Sequence, residues 1–94
     1  MREKNIEQQL RSEVRLHGGL CEKWTSGSSG WPDRICLFPD GKACFVEVKA
    51  PGKVPRPLQL HRHEQLRRLG FQVYVLDNEK QIGGILDGIR ETEI

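Results

Sequence analysis

The segment Ala43-Cys44-Phe45-Val46-Glu47-Val48-Lys49-Ala50 restricts the possible folds more than any other part of the chain. It is rich in Phe and Val, the residues that suit a pleated surface. Upstream, Pro39-Asp40-Gly41-Lys42 has the composition of a tight turn. Downstream, Pro51, Pro55 and Pro57 enforce an extended loop, because proline fixes its own φ and restricts the residue before it. The segment therefore reads as a strand with a defined start and end. Side chains alternate along a strand, so Glu47 and Lys49 share one face while Val46 and Val48 take the other. A carboxylate and an amine on an otherwise apolar strand need an explanation. The ordinary one is an exposed edge or a half-solvated face.

The remaining elements are placed around this strand. Ile6, Leu10 and Val14 recur every four positions, which predicts a helix over residues 2–17, stopped by Gly18-Gly19. Leu20 to Trp24 forms a short strand candidate. Residues 25–30, Thr-Ser-Gly-Ser-Ser-Gly, form a flexible turn that leads into Trp31-Pro32-Asp33. Residues 33–38 alternate as a strand. A second helix is predicted from about Pro57 to Leu69, with proline near its first position and Gly70 as its stop. Phe71 to Asp77 is a strand, and Asn78 caps a last short helix near 79–90 that Gly83 and Gly84 weaken. The order α-β-β-β-α-β-α predicts an α/β (α+β) fold with a central mixed four-stranded sheet flanked by helices. A length of 94 residues allows one domain, residues 1–94, with a limited core, so a homodimer interface is expected to help stability.

Composition narrows the function classes. No apolar run approaches a membrane span, and the polar start Met1-Arg2-Glu3-Lys4 lacks the apolar core of a signal peptide, so a cytoplasmic location is expected. Cys21, Cys36 and Cys44 are widely spaced, with no Cys-x-x-Cys pair, which argues against a zinc site or a disulfide framework. Cys36 and Cys44 read as reduced core residues. The net charge of +2 says little about partners, but its distribution says more. From Lys42 to Arg68 there are seven Lys or Arg against two acids, Glu47 and Glu64, so the middle of the chain is a basic segment compatible with a phosphate-facing surface. A solvated helix face would carry the same charges. The turn at 25–30 lacks the Lys-Ser/Thr ending of a nucleotide loop, so no nucleotide cofactor is expected.

A hairpin turn at 39–42 folds residues 33–38 back along 43–48. Any register within about one residue sets Asp33 across from the 47–49 stretch. Two carboxylates and a lysine then converge. Oxygen ligands from Asp33 and Glu47, with the backbone carbonyl of Val48 as a further candidate, suit a hard cation such as Mg²⁺. Without a cation the acids repel, and one has a raised pKa. Such a cluster can hydrolyse a phosphodiester, with Lys49 positioning the attacking water or neutralising the growing charge.

At these residues the chain resembles a known family. Pro32-Asp33 followed by Glu47-Val48-Lys49 is similar to the PD-(D/E)xK nuclease signature, which alone is degenerate. Gly30-Trp31-Pro32-Asp33-Arg34, Phe45 to Gly52, and Pro57-Leu58-Gln59 ahead of Leu69-Gly70-Phe71-Gln72-Val73-Tyr74-Val75 together resemble the VRR-NUC nucleases, closest to the short stand-alone members of phages and bacteria. The likeness runs from about Glu3 to Leu76. It implies a restriction-endonuclease-like fold and Mg²⁺- or Mn²⁺-dependent DNA cleavage. By position it implies Asp33 and Glu47 as metal ligands, Lys49 as the catalytic lysine, Gln59 as the glutamine that opens the helix after the lysine strand, and Glu7 as the acid of the first helix. It also implies a dimeric enzyme acting on branched DNA, notably four-way (Holliday) junctions, in the host-cell cytoplasm if phage-encoded. Trp31 departs from the family, where a smaller apolar residue is more usual.

The remaining polar residues divide between site and surface. Glu7 lies at the edge of the apolar stripe of its helix, where it can reach a metal directly or through water; Glu3, one turn earlier, reads as a rim carboxylate. Gln59 in the first turn of its helix can bond a metal water or a phosphate. Lys53, Arg56, Arg62, Arg67 and Arg68 are candidate phosphate contacts. His61 and His63, two apart on a helix, do not share a face, so DNA contact or simple exposure is expected rather than joint ligation. Trp24 and Trp31 can stack on bases or pack in the core and a loop. The alternative is a non-catalytic nucleic-acid-binding module of the same fold. A surface-pair reading of the acids, and RNA as substrate, also stand open.

Overall fold

The computed structural model describes residues 2–90. Helix α1 spans Glu3–Leu16, strand β1 Leu20–Lys23, β2 Arg34–Leu37 and β3 Ala43–Val48; helix α2 spans Pro57–Arg68, β4 Gln72–Leu76, and α3 Ile82–Arg90. The predicted order of elements holds. The strands lie in the order β1-β2-β3-β4, with the pairs β1–β2 and β2–β3 antiparallel and β3–β4 parallel. A parallel pair needs a crossover, and α2 supplies it. The sheet is therefore mixed, as expected.

Alternation along the strands sends each residue to one of two cores. On one face, Cys44, Val46 and Val48 of β3 join Cys21, Cys36 and Leu76 beneath α1 and α3. Ile6, Leu10 and Val14 of α1 are fully buried there, as their four-residue spacing predicts. Each such aliphatic side chain contributes about 1.5–3 kcal/mol on burial. The three cysteines stand side by side across the strands, Cys21 opposite Cys36 and Cys36 opposite Cys44, buried and free. On the other face, Phe45, Val73 and Leu66 form a smaller core with Trp24, Trp31 and Ile35, and this face is covered by α2.

The boundaries differ from expectation by one to three residues for local reasons. Lys49 still donates its N–H to the Leu76 carbonyl at 2.9 Å, so the ladder runs one step past β3. The turn at Pro39–Gly41 is a single 3₁₀ turn, with Asp40 at φ 67°, a left-handed conformation that Asp tolerates better than most residues. The Asn78 side chain accepts from the Lys80 N–H at 2.9 Å, and the chain first makes a tighter turn over Glu79–Gln81, so α3 proper starts at Ile82.

Candidate active site

The β2–β3 register brings the acids together. Arg34 pairs with Val46 and Ile35 with Phe45, so Asp33, one step before β2, falls beside Glu47 on the α2 face. Two backbone bonds hold Asp33 there: its carbonyl accepts from the Trp24 N–H at 2.9 Å, and its Oδ1 accepts from the Val48 N–H at 3.2 Å. Fully buried Pro32 precedes it. Gly30 has φ 85°, and a Cβ there would lie 2.8 Å from the Leu58 carbonyl oxygen. Only glycine lets this turn press so closely on α2.

Asp33 lies between two groups of carboxylates. Toward α1, oxygens of Glu3, Glu7 and Asp33 all lie within 4.8 Å of one another. Toward α2, Glu47 is almost fully buried at 2% exposure. Burial drives the Asp33 pKa up to about 7; the Val48 N–H opposes the shift, while Glu47, Glu7 and Glu3 add to it. Burial also raises the Glu47 pKa, opposed by the Lys49 ammonium, by a hydrogen bond with Asp33 and by Arg56. Lys49 Nζ stands 3.9 Å from Glu47 Oε2. Arg34, itself buried, reaches Glu7 Oε2 at 3.4 Å, and its Nε has no partner among the described residues. The cluster is thus short of positive charge. An all-oxygen donor set with this deficit fits a hard divalent cation.

The structure therefore brings together Asp33, Glu47, Lys49 and Glu7, with Val48 at the same strand end. It also brings in Glu3, which the helix-face argument left as a rim residue. A one-turn spacing sets Glu3 beside Glu7, and only the approach of α1 to the tip of β2 turns both toward Asp33. Gln59 is buried at the start of α2, and its Oε1 accepts from the Arg56 N–H at 2.8 Å, which closes the first turn of the helix. Its amide oxygen is thus engaged in capping.

His63 is where the sequence-based expectation was wrong. His61 is exposed, but His63 is fully buried, and its Nε2 lies 3.2 Å from Glu47 Oε1. The spacing argument correctly separated the two histidines and then assigned both to the outside. The signal it passed over is that Gln59 and His63 are four apart, on one face of α2, together with Leu66. Burial, followed by Arg67 and Lys49, holds the imidazole below its usual pKa.

The basic residues are not equivalent. Arg56, exposed at the N-terminal end of α2, is close enough to act on Glu47, and exposed Lys53 lies in the turn after β3. Arg62 stacks over Trp31 at 5.5 Å. Arg67 donates to the Val73 carbonyl at 2.8 Å, and Arg68 pairs with Glu64 at 3.4 Å on the exposed side of the helix. Trp31 packs against Trp24 and Phe45, with ring centroids 6.1 and 5.9 Å apart.

Comparison with known proteins gives three findings. Residues 2–79 match the family model of the VRR-NUC domain. The chain is 51% identical over 80 residues to a protein of Acyrthosiphon pisum secondary endosymbiont phage 1 named "Putative nuclease p44", covering 84% of this chain and 86% of that protein. A solved structure of a VRR_NUC domain superposes with a TM-score of 0.84 at 33% identity, covering 90% of this chain and 94% of that one.

Proposed function

The chain belongs to the VRR-NUC family of nucleases, and we propose that it is a divalent-metal-dependent endonuclease that hydrolyses DNA phosphodiesters at four-way junctions or other branches. One observation carries the reading: the Asp33 carboxylate sits between Glu47 and the α1 acids, with Lys49 beside Glu47. Asp33 and Glu47 would hold Mg²⁺ or Mn²⁺, with the Val48 carbonyl and Glu7 as further ligands. Bound there, the cation supplies Lewis acidity and a water of lowered pKa. The residues of the chain do the rest. Lys49 orients the attacking water and neutralises charge that grows on the phosphoryl oxygens. Arg34 holds Glu7 in the cluster. Lys53, Arg56 and the remaining bases of residues 42–68 hold the phosphate backbone. No separate DNA-reading module is evident among the described residues, so selection follows the shape of the nucleic acid more than its sequence. Two coordinated cuts across a junction require two sites, which a homodimer supplies.

The test is cleavage of four-way junction, flap and linear duplex DNA with and without Mn²⁺, comparing wild type with Lys49→Ala. Wild type cuts the branched substrates only with metal. Lys49→Ala folds and loses on the order of 10²–10³ in rate, the usual effect of removing one group that stabilises developing charge. If K49A cuts at the normal rate, the role of the lysine is wrong. DNA binding that persists in EDTA, with no cleavage by any metal, would favour the non-catalytic module. Preferential cutting of RNA would move the substrate class.

A further inference from the structure

We propose that His63 is a positioning residue: its Nε2–H donates to Glu47 Oε1 and fixes the carboxylate plane in the orientation in which Glu47 ligates the metal. The inference rests on the assignment of Glu47 as a ligand. Three observations carry it. His63 is fully buried on the sheet-facing side of α2, a place where an aliphatic residue would pack without cost. An imidazole there loses its hydration and needs a partner to offset the loss. Among the described residues its side chain bonds Glu47 Oε1, at 3.2 Å, while Nδ1 has no partner. A neutral ring with the proton on Nε2 satisfies this arrangement: a donor meets an ionised carboxylate, and the unmatched atom is a bare acceptor rather than an orphaned N–H.

The second oxygen of Glu47 faces Lys49 at 3.9 Å, so the carboxylate is gripped from α2 on one side and from its own strand on the other. The helix, in turn, is fixed against the site by its first turn. Gln59, one turn before His63 and also buried, bonds the Arg56 N–H. Gly30 allows the turn that carries Asp33 to contact the Leu58 carbonyl region. Residues that orient a metal ligand in this way commonly change metal affinity by 10–100-fold when removed.

The experiment has two parts. Calorimetric titration of the DNA-free protein with Mn²⁺ compares wild type, Glu47→Gln, His63→Leu and His63→Gln. The expected result is weaker Mn²⁺ binding by on the order of 10–100-fold in H63L, and recovery to within several-fold in H63Q, whose amide N–H reaches toward the same oxygen. A purely packing role moves melting temperature but not the affinity of the folded protein, so H63L binding Mn²⁺ as tightly as wild type overturns the proposal. If H63L does not fold, the second part decides on the wild-type protein: nitrogen-15 NMR of His63 saturated with Mg²⁺. A proton on Nε2 supports the proposal, and a proton on Nδ1 with a bare Nε2 overturns it. If wild type takes up no Mn²⁺, or E47Q takes it up equally well, the assignment of Glu47 has failed and the inference fails with it. If E47Q loses Mn²⁺ while H63L keeps it, the metal site stands and only the inference about His63 falls.

Discussion

At the residue scale, Asp33 has the most testable electrostatics. Burial and three neighbouring acids hold its folded-state pKa at about 7, whereas an Asp in the unfolded chain titrates near 3.9. The folded state therefore keeps a proton that the unfolded state has released across this window. Its contribution is fully present below about pH 4 and is lost as pH rises toward 7. Glu47 is shifted in the same direction. The metal-free protein is expected to melt higher near pH 5 than near pH 8. Asp33→Asn, which keeps an oxygen for the Val48 N–H, is expected to flatten that difference and raise the melting temperature at pH 8 while abolishing cleavage. A wild-type melting temperature that rises through the window, or an identical profile in D33N, would contradict the electrostatic account. On the proposed metal assignment, Mn²⁺ is expected to stabilise the protein more at pH 8 than at pH 5, because protons would compete for the ligands. The acids themselves were legible in the chain, since a turn at 39–42 leaves Asp33 and Glu47 little choice but to meet. Glu3 and His63 were not. Their roles depend on how α1 and α2 sit on the sheet, and helix spacing alone cannot supply that.

At the element scale, the site is assembled by the contacts of α1 and α2 with the end of the β2–β3 hairpin. The element order and the pairing of β2 with β3 followed from turn composition and alternation. The weak apolar periodicity of α2 has a physical reason visible only in the structure: its inward positions include Gln59 and His63, because that face serves the site as well as the core. The aromatic group of Trp24, Trp31 and Phe45 likewise mixes loop and strand residues that no single period links. Gly30 is the joint between the loop and α2. Gly30→Ala places a side chain at φ 85° and drives a Cβ to 2.8 Å from the Leu58 carbonyl oxygen. A left-handed non-glycine costs about 1–2 kcal/mol, and overpacking typically another 1–3. Urea unfolding of G30A is expected to show a loss of about 2–5 kcal/mol by the same two contributions. A change under about 0.5 kcal/mol, the scale of an ordinary surface substitution, would show that the loop is not pressed on the helix.

At the scale of the whole molecule, charge is arranged along a path. Arg56 is close enough to act on Glu47 and Lys53 lies in the turn after β3, while Arg68 lies nine residues beyond Gln59, roughly 14 Å further along α2, and is paired with Glu64. Arg67 is tied to the Val73 carbonyl. The composition of residues 42–68 marked this region as basic but could not sort its members, since sorting them needs the partner of each guanidinium. DNA affinity is expected to fall steeply with salt. Replacing Lys53 or Arg56 with Ala should lower the slope of log K against log salt by about one each, and replacing Arg68 should leave it unchanged. Equal slopes for all three variants would contradict this division. No described helix is long and apolar enough to cross a membrane. The most direct measurement is an anomalous difference map from crystals of the protein grown with Mn²⁺. The account predicts a peak about 2.0–2.6 Å from carboxylate oxygens of both Asp33 and Glu47, the range of hard-cation oxygen ligation. A map with no peak there, or with one that touches Glu3 and Glu7 but not Glu47, would contradict it.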